Sequence, residues 1–220
     1  MTDVVCELVD VTKRYGDHTV LDRVSLTVAP QEMVAIVGPS GSGKTTILNL
    51  LGLLESPDAG EVRLFGLPTP AIGSARAMAL LRTRLGYLFQ NGALIDDATI
   101  GANLDVALRY QRITRRDRER SKVEALQQVG LDSLALRQPV YGLSGGEQQR
   151  VAMARLLLKP CDLILADEPT GSLDPVNRDA VLQSLQDLNR HGKTIVIVTH
   201  DPVVAAACVR EIDLAVLHGR

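Results

Sequence analysis

An α/β fold is predicted by three apolar runs rich in Val and Ile and by the helix-like stretches that alternate with them. MVAIV at 33–37, LILAD at 163–167 and TIVIV at 194–198 are continuously apolar, as strands buried on both faces of a parallel sheet must be. Helical stretches near 44–54, 175–190 and 202–209 separate or follow them, giving the βα alternation of a layered core. Residues 4–11, 20–28 and 61–65 read as shorter strands, punctuated by the turns Tyr15-Gly16-Asp17 and Ala29-Pro30-Gln31. Between about 91 and 159 the periodicity is helical without convincing strands, so an α-helical subdomain is expected to interrupt the α/β order. The expected organisation is one domain over 1–220, with 1–90 and 160–220 forming the α/β core and its β subdomain, and 91–159 the helical insert.

Composition sets limits on function. The chain has 220 residues, 45% hydrophobic and 23% charged, which suits a packed interior and excludes disorder or a repeat array. A formal net charge of −2 offers no electrostatic case for a nucleic-acid partner. Cys6, Cys161 and Cys208 are odd in number, far apart and without metal-ligand spacing, and read as reduced, mostly buried thiols. The N-terminal MTDVVCELVD lacks the basic segment and apolar run of a signal peptide, and no apolar stretch approaches the ~18 residues that span a bilayer. Any membrane role therefore calls for a second chain that crosses the membrane. In the helical segment, Arg115, Arg116, Arg118, Arg120 and Lys122 are offset by Asp117, Glu119 and Glu124, and read as a solvated face.

The residues that carry chemistry cluster at strand ends. GPSGSGKT, Gly38 to Thr45, follows one predicted strand and opens a predicted helix, the context in which G-x-x-x-x-G-K-[ST] wraps phosphates with backbone N–H groups. Lys44 would set its ammonium on the β and γ phosphates, and the Thr45 hydroxyl would ligate Mg²⁺. LILADE ends a strand in two acids that need separate tasks: Asp167 to hold Mg²⁺, and Glu168 to act as general base on the attacking water. Past TIVIV, His200 sits at another strand end, a position that also suits an ordinary packed or surface histidine. In LSGGEQQR at 143–150, Ser144 and Glu147 form a capping box ahead of an apolar-periodic helix. Gly145 and Gly146 leave its first turn bare; a well-capped helix needs no such glycines, which cost about 1 kcal/mol each against Ala, so a ligand is expected there.

Taken in order, these motifs resemble those of the ATP-binding cassette (ABC) ATPases, over nearly the whole chain. The resemblance implies a P-loop NTPase ABC cassette with a RecA-like core, an N-terminal antiparallel β subdomain and an inserted α-helical subdomain. It implies that Gly38, Pro39, Ser40, Gly41, Ser42, Gly43, Lys44, Thr45 and Thr46 form the Walker A loop, and that Gln90 is the Q-loop glutamine, serving catalysis and the metal. Ser144, Gly145, Gly146 and Glu147 become the signature, Asp167 and Glu168 the Walker B pair, Ser172, Leu173 and Asp174 the D-loop, and His200 the switch histidine. Tyr15 falls where the family stacks a ring on adenine, although a tyrosine in a strand–turn element also suits the core.

The same resemblance implies a mechanism. Two copies meet head to tail around ATP and Mg²⁺, each signature completing its partner's site, so an isolated monomer should hydrolyse ATP poorly. The cassette is expected to serve a separate integral membrane permease from the cytoplasmic face of the plasma membrane, through Gln90 and the helical subdomain. ILADEPTGSLD with LSGGEQQR looks most like the branch of macrolide exporters, lipoprotein-release machines and the cell-division cassette. Ser172 in place of a frequent Asn, and NGALIDDATI from Asn91 in place of a proline-containing segment, depart from it, and the latter segment resembles bacteriocin-export cassettes. A permease-powering exporter subunit is the first reading. The alternatives are mechanical signalling through a membrane partner without cargo, and a soluble non-transport ABC ATPase, for which no coiled-coil insertion or second cassette is visible. A P-loop kinase or GTPase is opposed by LSGGEQQR and by the lack of N-K-x-D.

Overall fold

The computed structural model describes residues 4–132 and 135–217, so Met1–Asp3 of the N-terminal segment considered above lie outside the described residues. The chain is α/β, with two sheets. Strands β1 (Cys6–Tyr15), β2 (His18–Val28), β4 (Ala59–Leu64) and β5 (Leu67–Pro68) form an antiparallel sheet in the order β2-β1-β4-β5. Strands β3 (Met33–Val37), β6 (Leu85–Leu88), β7 (Leu163–Asp167), β8 (Thr194–Val198) and β9 (Arg210–Asp213) form a parallel sheet in the order β6-β7-β8-β3-β9.

Helices cover the parallel sheet. Following β3 comes α1 (Lys44–Leu51), between later strands lie α2 (Ala75–Thr83), α3 (Ile100–Leu108), α4 (Arg115–Gln128), α5 (Gly145–Leu157), α6 (Pro175–Arg190) and α7 (Pro202–Ala206), and α8 (Leu214–Leu217) follows β9. Side chains alternate across a strand, so the apolar runs feed two cores. Val34, Ile36, Leu163, Leu165, Val196 and Val198 pack with α1 and the antiparallel sheet, while Met33, Ile164, Ala166, Ile195 and Ile197 pack with residues of α3 to α6. That two-sided burial is why the three runs carry no polar alternation.

Local chemistry starts the helices. Ser74, Thr99, Thr114, Ser144, Asp174 and Asp201 each accept an N–H of the first turn of the helix that follows, and Pro175 and Pro202 occupy the first helical positions, where a missing N–H costs nothing.

Several boundaries differ from the sequence expectation. The first strand runs to Tyr15 rather than ending at 11, continuing through irregular pairing with β2 and β4. The helix expected over 202–209 stops at Ala206, because Val209 N–H donates to Met33 O (2.9 Å) and the chain enters β9 beside β3. Strand β6 and helix α2 were not foreseen; LGYL is short and contains a glycine, and its strand character comes from pairing with β7. The basic helix α4 is not uniformly solvated. Lys122 is buried, and its ammonium lies 2.7 Å from Glu119 and 3.3 Å from Asp105.

Cys6 and Cys161 are buried, Cys208 is partly so, and all three are free thiols. Burial pushes Cys6 up to about 12 and Cys208 up to about 11, which keeps both protonated. Among the described residues no helix is long and apolar enough to cross a membrane.

The stretch ahead of α3 hangs on one amide. Asn103 is fully buried; its Oδ1 accepts Ile95 N–H (2.7 Å) and its Nδ2 donates to Ile95 O and Thr99 O (both 3.1 Å). Asn103→Ala leaves the Ile95 N–H without its partner, whereas Ile95 O and Thr99 O keep the backbone N–H groups of Ala98 (3.1 Å) and residue 103 (3.0 Å), and it should cost about 1–3 kcal/mol. Urea titration should show a lower midpoint with an unchanged slope.

Candidate functional site

The parallel sheet's register brings three loops to one edge. Val198 pairs with Ile36 on one side and with Asp167 on the other, so β3, β7 and β8 end level. Loops 38–43, 168–174 and 199–201 leave from that edge, where α/β sheets place their ligands. The first and second border a cleft of about 400 Å³, lined by Ser40, Gly41 and Gly43 to Thr46 together with Val20, Glu168 and Val198.

The 38–43 loop has the properties of an anion cradle. α1 begins at Gly43, at φ 94° and with no side-chain cap, so its first-turn N–H groups are left to another acceptor. A Cβ on Gly43 would lie 2.6 Å from Leu21 Cδ2, so the close approach of β2 admits only glycine there. Lys44 is buried and turns its ammonium onto Gly38 O (2.8 Å) and Pro39 O (2.9 Å). Ser42 Oγ is buried without a partner. An orphaned hydroxyl, an ammonium held only by neutral carbonyls and an uncapped helix end all fit phosphate oxygens.

The two adjacent acids go to different partners. Thr45 Oγ1 donates to Asp167 Oδ1 at 3.3 Å. Burial raises the Asp167 pKa, the Thr45 hydrogen bond opposes this, and the charge on Glu168 adds to it. Glu168 has φ 43°, in the left-handed region, with its N–H on Val198 O (2.9 Å). This kink ends the strand's alternation. The Glu168 carboxylate meets His200, with Oε1 2.8 Å from Nδ1 and Oε2 accepting the His200 N–H at 3.3 Å. His200 itself lines a neighbouring recess with Val37, Gly38 and Thr199.

Other expected site residues lie outside the cleft. α5 starts in the capping box read from the sequence: Glu147 N–H donates to Ser144 Oγ (3.3 Å), and Glu147 Oε2 accepts from Ser144 N (2.8 Å) and Ser144 Oγ (2.7 Å). Those Ser144 hydrogen bonds hold the Glu147 carboxyl below its ordinary pKa. No residue of 144–147 lines the cleft. Tyr15 does not line it either; its half-exposed ring carries Lys13 Nζ at 5.4 Å, and its hydroxyl donates to Glu55. Gln90 is exposed, with Nε2 close to Gly171. Ser172 is exposed, Leu173 packs on the helical core, and Asp174 caps α6.

Sequence reasoning missed the polar residues that fasten α5 to these loops. The Gln149 amide is buried and donates to Phe89 O (3.3 Å) and Pro169 O (2.9 Å). Arg155 donates to Gly92 O (2.6 Å) and Ala93 O (2.8 Å). A polar residue among the apolar positions of α5 was the available signal. Val20 and Val198 in the cleft wall carried none.

A sequence-family profile described as "ABC transporter" matches residues 21–171. The macrolide export ATP-binding/permease protein MacB of Pectobacterium atrosepticum is 40% identical over 218 residues, covering 97% of this chain and 33% of that protein. The chain thus spans about a third of the length of the curated relatives it matches. Among solved structures, the dimeric MJ0796, described as a bacterial ABC transporter cassette, superposes with a TM-score of 0.88 at 36% identity, covering 95% of this chain and 94% of that one. A post-hydrolysis dimer of MJ0796 bound to ADP and Pi gives 0.86 at 35% identity, with 95% and 94% covered.

The raised pKa of Asp167 has a sign that can be tested. A carboxyl whose folded pKa lies above its unfolded value binds protons more tightly in the native state, so it favours folding at low pH and opposes it once ionised. In Mg²⁺-free buffer Asp167→Asn should therefore raise Tm at pH 7.5. The gap over the parent should close as pH falls to the ordinary Asp value of 3.8.

Proposed function

The chain belongs to the ABC transporter family, and from that premise we propose that it is the ATP-binding and ATP-hydrolysing subunit that powers a separate transmembrane permease, an exporter. One observation carries this reading: the 38–43 loop and Glu168 border a phosphate-fitting cleft, while the glycine-bare turn of α5 lines no part of it. A bare helix start away from its own nucleotide suits the site of a second copy, in a head-to-tail ATP sandwich.

In that reading Gly38 to Thr46 wrap the phosphates, Lys44 leaves its carbonyls for the β and γ phosphates, and Ser42 Oγ gains an acceptor. Tyr15 offers its exposed face to the base, with its hydroxyl anchored on Glu55. Mg²⁺ would draw the phosphate charge and orient the leaving group; Thr45 and Asp167 offer facing oxygens for it, with Gln90 closing the site from across Gly171. Few protein oxygens suffice, because Mg²⁺ bound with a nucleotide keeps phosphate and water ligands. Glu168 accepts the proton of the water that attacks the γ phosphorus, the bond to the bridging oxygen breaks, and ADP leaves. His200 holds the Glu168 carboxylate in place beforehand. Ser144 must give up Glu147 to donate to the partner's γ phosphate, with Gly145 and Gly146 presenting N–H groups, and the Ser172–Asp174 turn lies beside the shared site.

We take 91–159 as the helical subdomain that faces the permease on the cytoplasmic side of the membrane. A groove of about 270 Å³ supports this, lined by Tyr87, Phe89, Val106 and Tyr110 together with Arg82, Arg155 and Lys159. Its mixed aromatic and cationic lining suits an amphipathic segment.

Glu168→Gln should bind ATP yet accumulate a stable dimer, with turnover down at least about 100-fold; turnover at the parental rate would remove Glu168 as the base. Mixing Ser144→Arg chains with Glu168→Gln chains should lower dimer yield, read by size exclusion with ATP. For the permease, a photo-crosslinker at Val106 should capture an integral membrane chain from native membranes. Capture of soluble proteins alone would favour a non-transport ATPase.

A further inference from the structure

We infer that Asn177 is a positioning residue that locks the first turn of α5 to the 168–174 loop of the same subunit, so that the two sites of the ATP sandwich close together. The inference rests on the head-to-tail reading above and adds the side chain that transmits between sites.

The contact is direct. A Cβ on Gly146 would fall 2.8 Å from both Cγ and Nδ2 of Asn177, so the amide lies flat against the bare backbone of the α5 turn. Asn177 Oδ1 accepts from Arg150 Nη1, one turn further along α5. Its Nδ2 donates to Asp174 Oδ2, while Asp174 Oδ1 accepts the N–H groups of Val176 (3.0 Å) and Asn177 (3.1 Å). From Asp174 the chain runs back to Glu168 through two short turns, Leu173 N–H to Thr170 O (3.0 Å) and Gly171 N–H to Glu168 O (3.1 Å). One amide therefore touches the turn that would serve the partner's nucleotide, and it is tied to a loop that begins at the base of its own cleft.

The chemistry requires an amide. Asp174 needs a donor and Arg150 needs an acceptor, and Asn supplies both from one planar group. Asp in its place would face the Asp174 carboxylate with like charge. Alanine would leave a gap beside Gly146 and free Arg150, whose Nε is already buried without a partner. Arg150 also acts on Glu147, whose carboxyl its charge helps to keep ionised. Movement of the 168–174 loop when nucleotide fills one cleft would thus be passed to Gly146 and, through Arg150, to the Ser144–Glu147 cap. The linkage runs within one subunit, while its effect falls on the site of the other.

The test measures ATP-driven dimerisation and single-subunit nucleotide binding separately, with Tm in parallel. Asn177→Ala and Asn177→Asp should bind a fluorescent ATP analogue at high dilution within about twofold of the parent, yet dimerise about tenfold more weakly with ATP, the size of an ordinary coupling free energy. The Hill coefficient for hydrolysis should fall towards one. The Arg150→Ala, Asn177→Ala double variant should be no worse than the poorer single, as expected for two residues in one linkage. Dimerisation of Asn177→Ala at parental affinity with an unchanged Hill coefficient would overturn the inference. So would a loss that follows the fraction unfolded at the assay temperature. If the mixture of Ser144→Arg and Glu168→Gln chains dimerises unchanged, the sandwich falls and takes the inference with it. If that mixture gives the lowered dimer yield while Asn177→Ala matches the parent, only the role of Asn177 is lost.

Discussion

The pairing of Val198 with Ile36 on one side and Asp167 on the other is the constraint on which the site depends. Parallel strands cannot slip by one residue without sending their buried side chains to the wrong face. With both faces of β3, β7 and β8 packed, the register is held from two sides, and the level ends of the strands follow. Each loop therefore starts from a position fixed to a fraction of a residue spacing. The separation of Glu168 from His200, each one or two residues past a strand end, is set largely by the sheet, while that of Thr45 from Asp167 also depends on the 38–43 loop.

The helical layer is held differently. Helix α5 packs its apolar side in the core it shares with α3, α4 and α6, but its aim is set by polar contacts with backbone: Gln149 to Phe89 and Pro169, Arg155 to Gly92 and Ala93. A buried donor left without an acceptor costs about 1–3 kcal/mol, so these contacts tend to be kept together or released together. The loops after β6 and β7 consequently share a mount. A shift of α5 as a body would be felt at Gln90 and at the turn after Glu168 alike.

Much of this was legible in the sequence because the signals were local. Capping boxes, Pro at first helical positions and apolar runs act within a few residues, and Lys44–Leu51, Gly145–Leu157 and Pro175–Arg190 begin where those signals stand. The strand-end motifs around Lys44, Asp167 and His200 were legible because their spacing from an apolar run is itself local. What escaped depends on distant partners. LGYL becomes β6 only beside β7, residues 207–213 give up helix for β9 only beside β3, and Lys122 is buried only because Asp105 on α3 and Glu119 neutralise it. Asn177 follows the helix-capping Asp174 in sequence, yet its contact with Gly146 depends on the packing of α6 against α5.

The contact of β2 with Gly43 bears on how the protein is made. The 38–43 loop keeps the left-handed Gly43 beneath Leu21 and Val20, and Leu21 is fully buried in a ladder with β1. A chain synthesised from its N-terminus delivers that ladder before the loop it covers, and domains tend to fold as their segments emerge. β4, however, arrives only after the loop and α1, and it completes the sheet on the far side of β1. The loop's cover is therefore made before it, while a parallel partner of the strand that leads into it, β8, is among the last segments made.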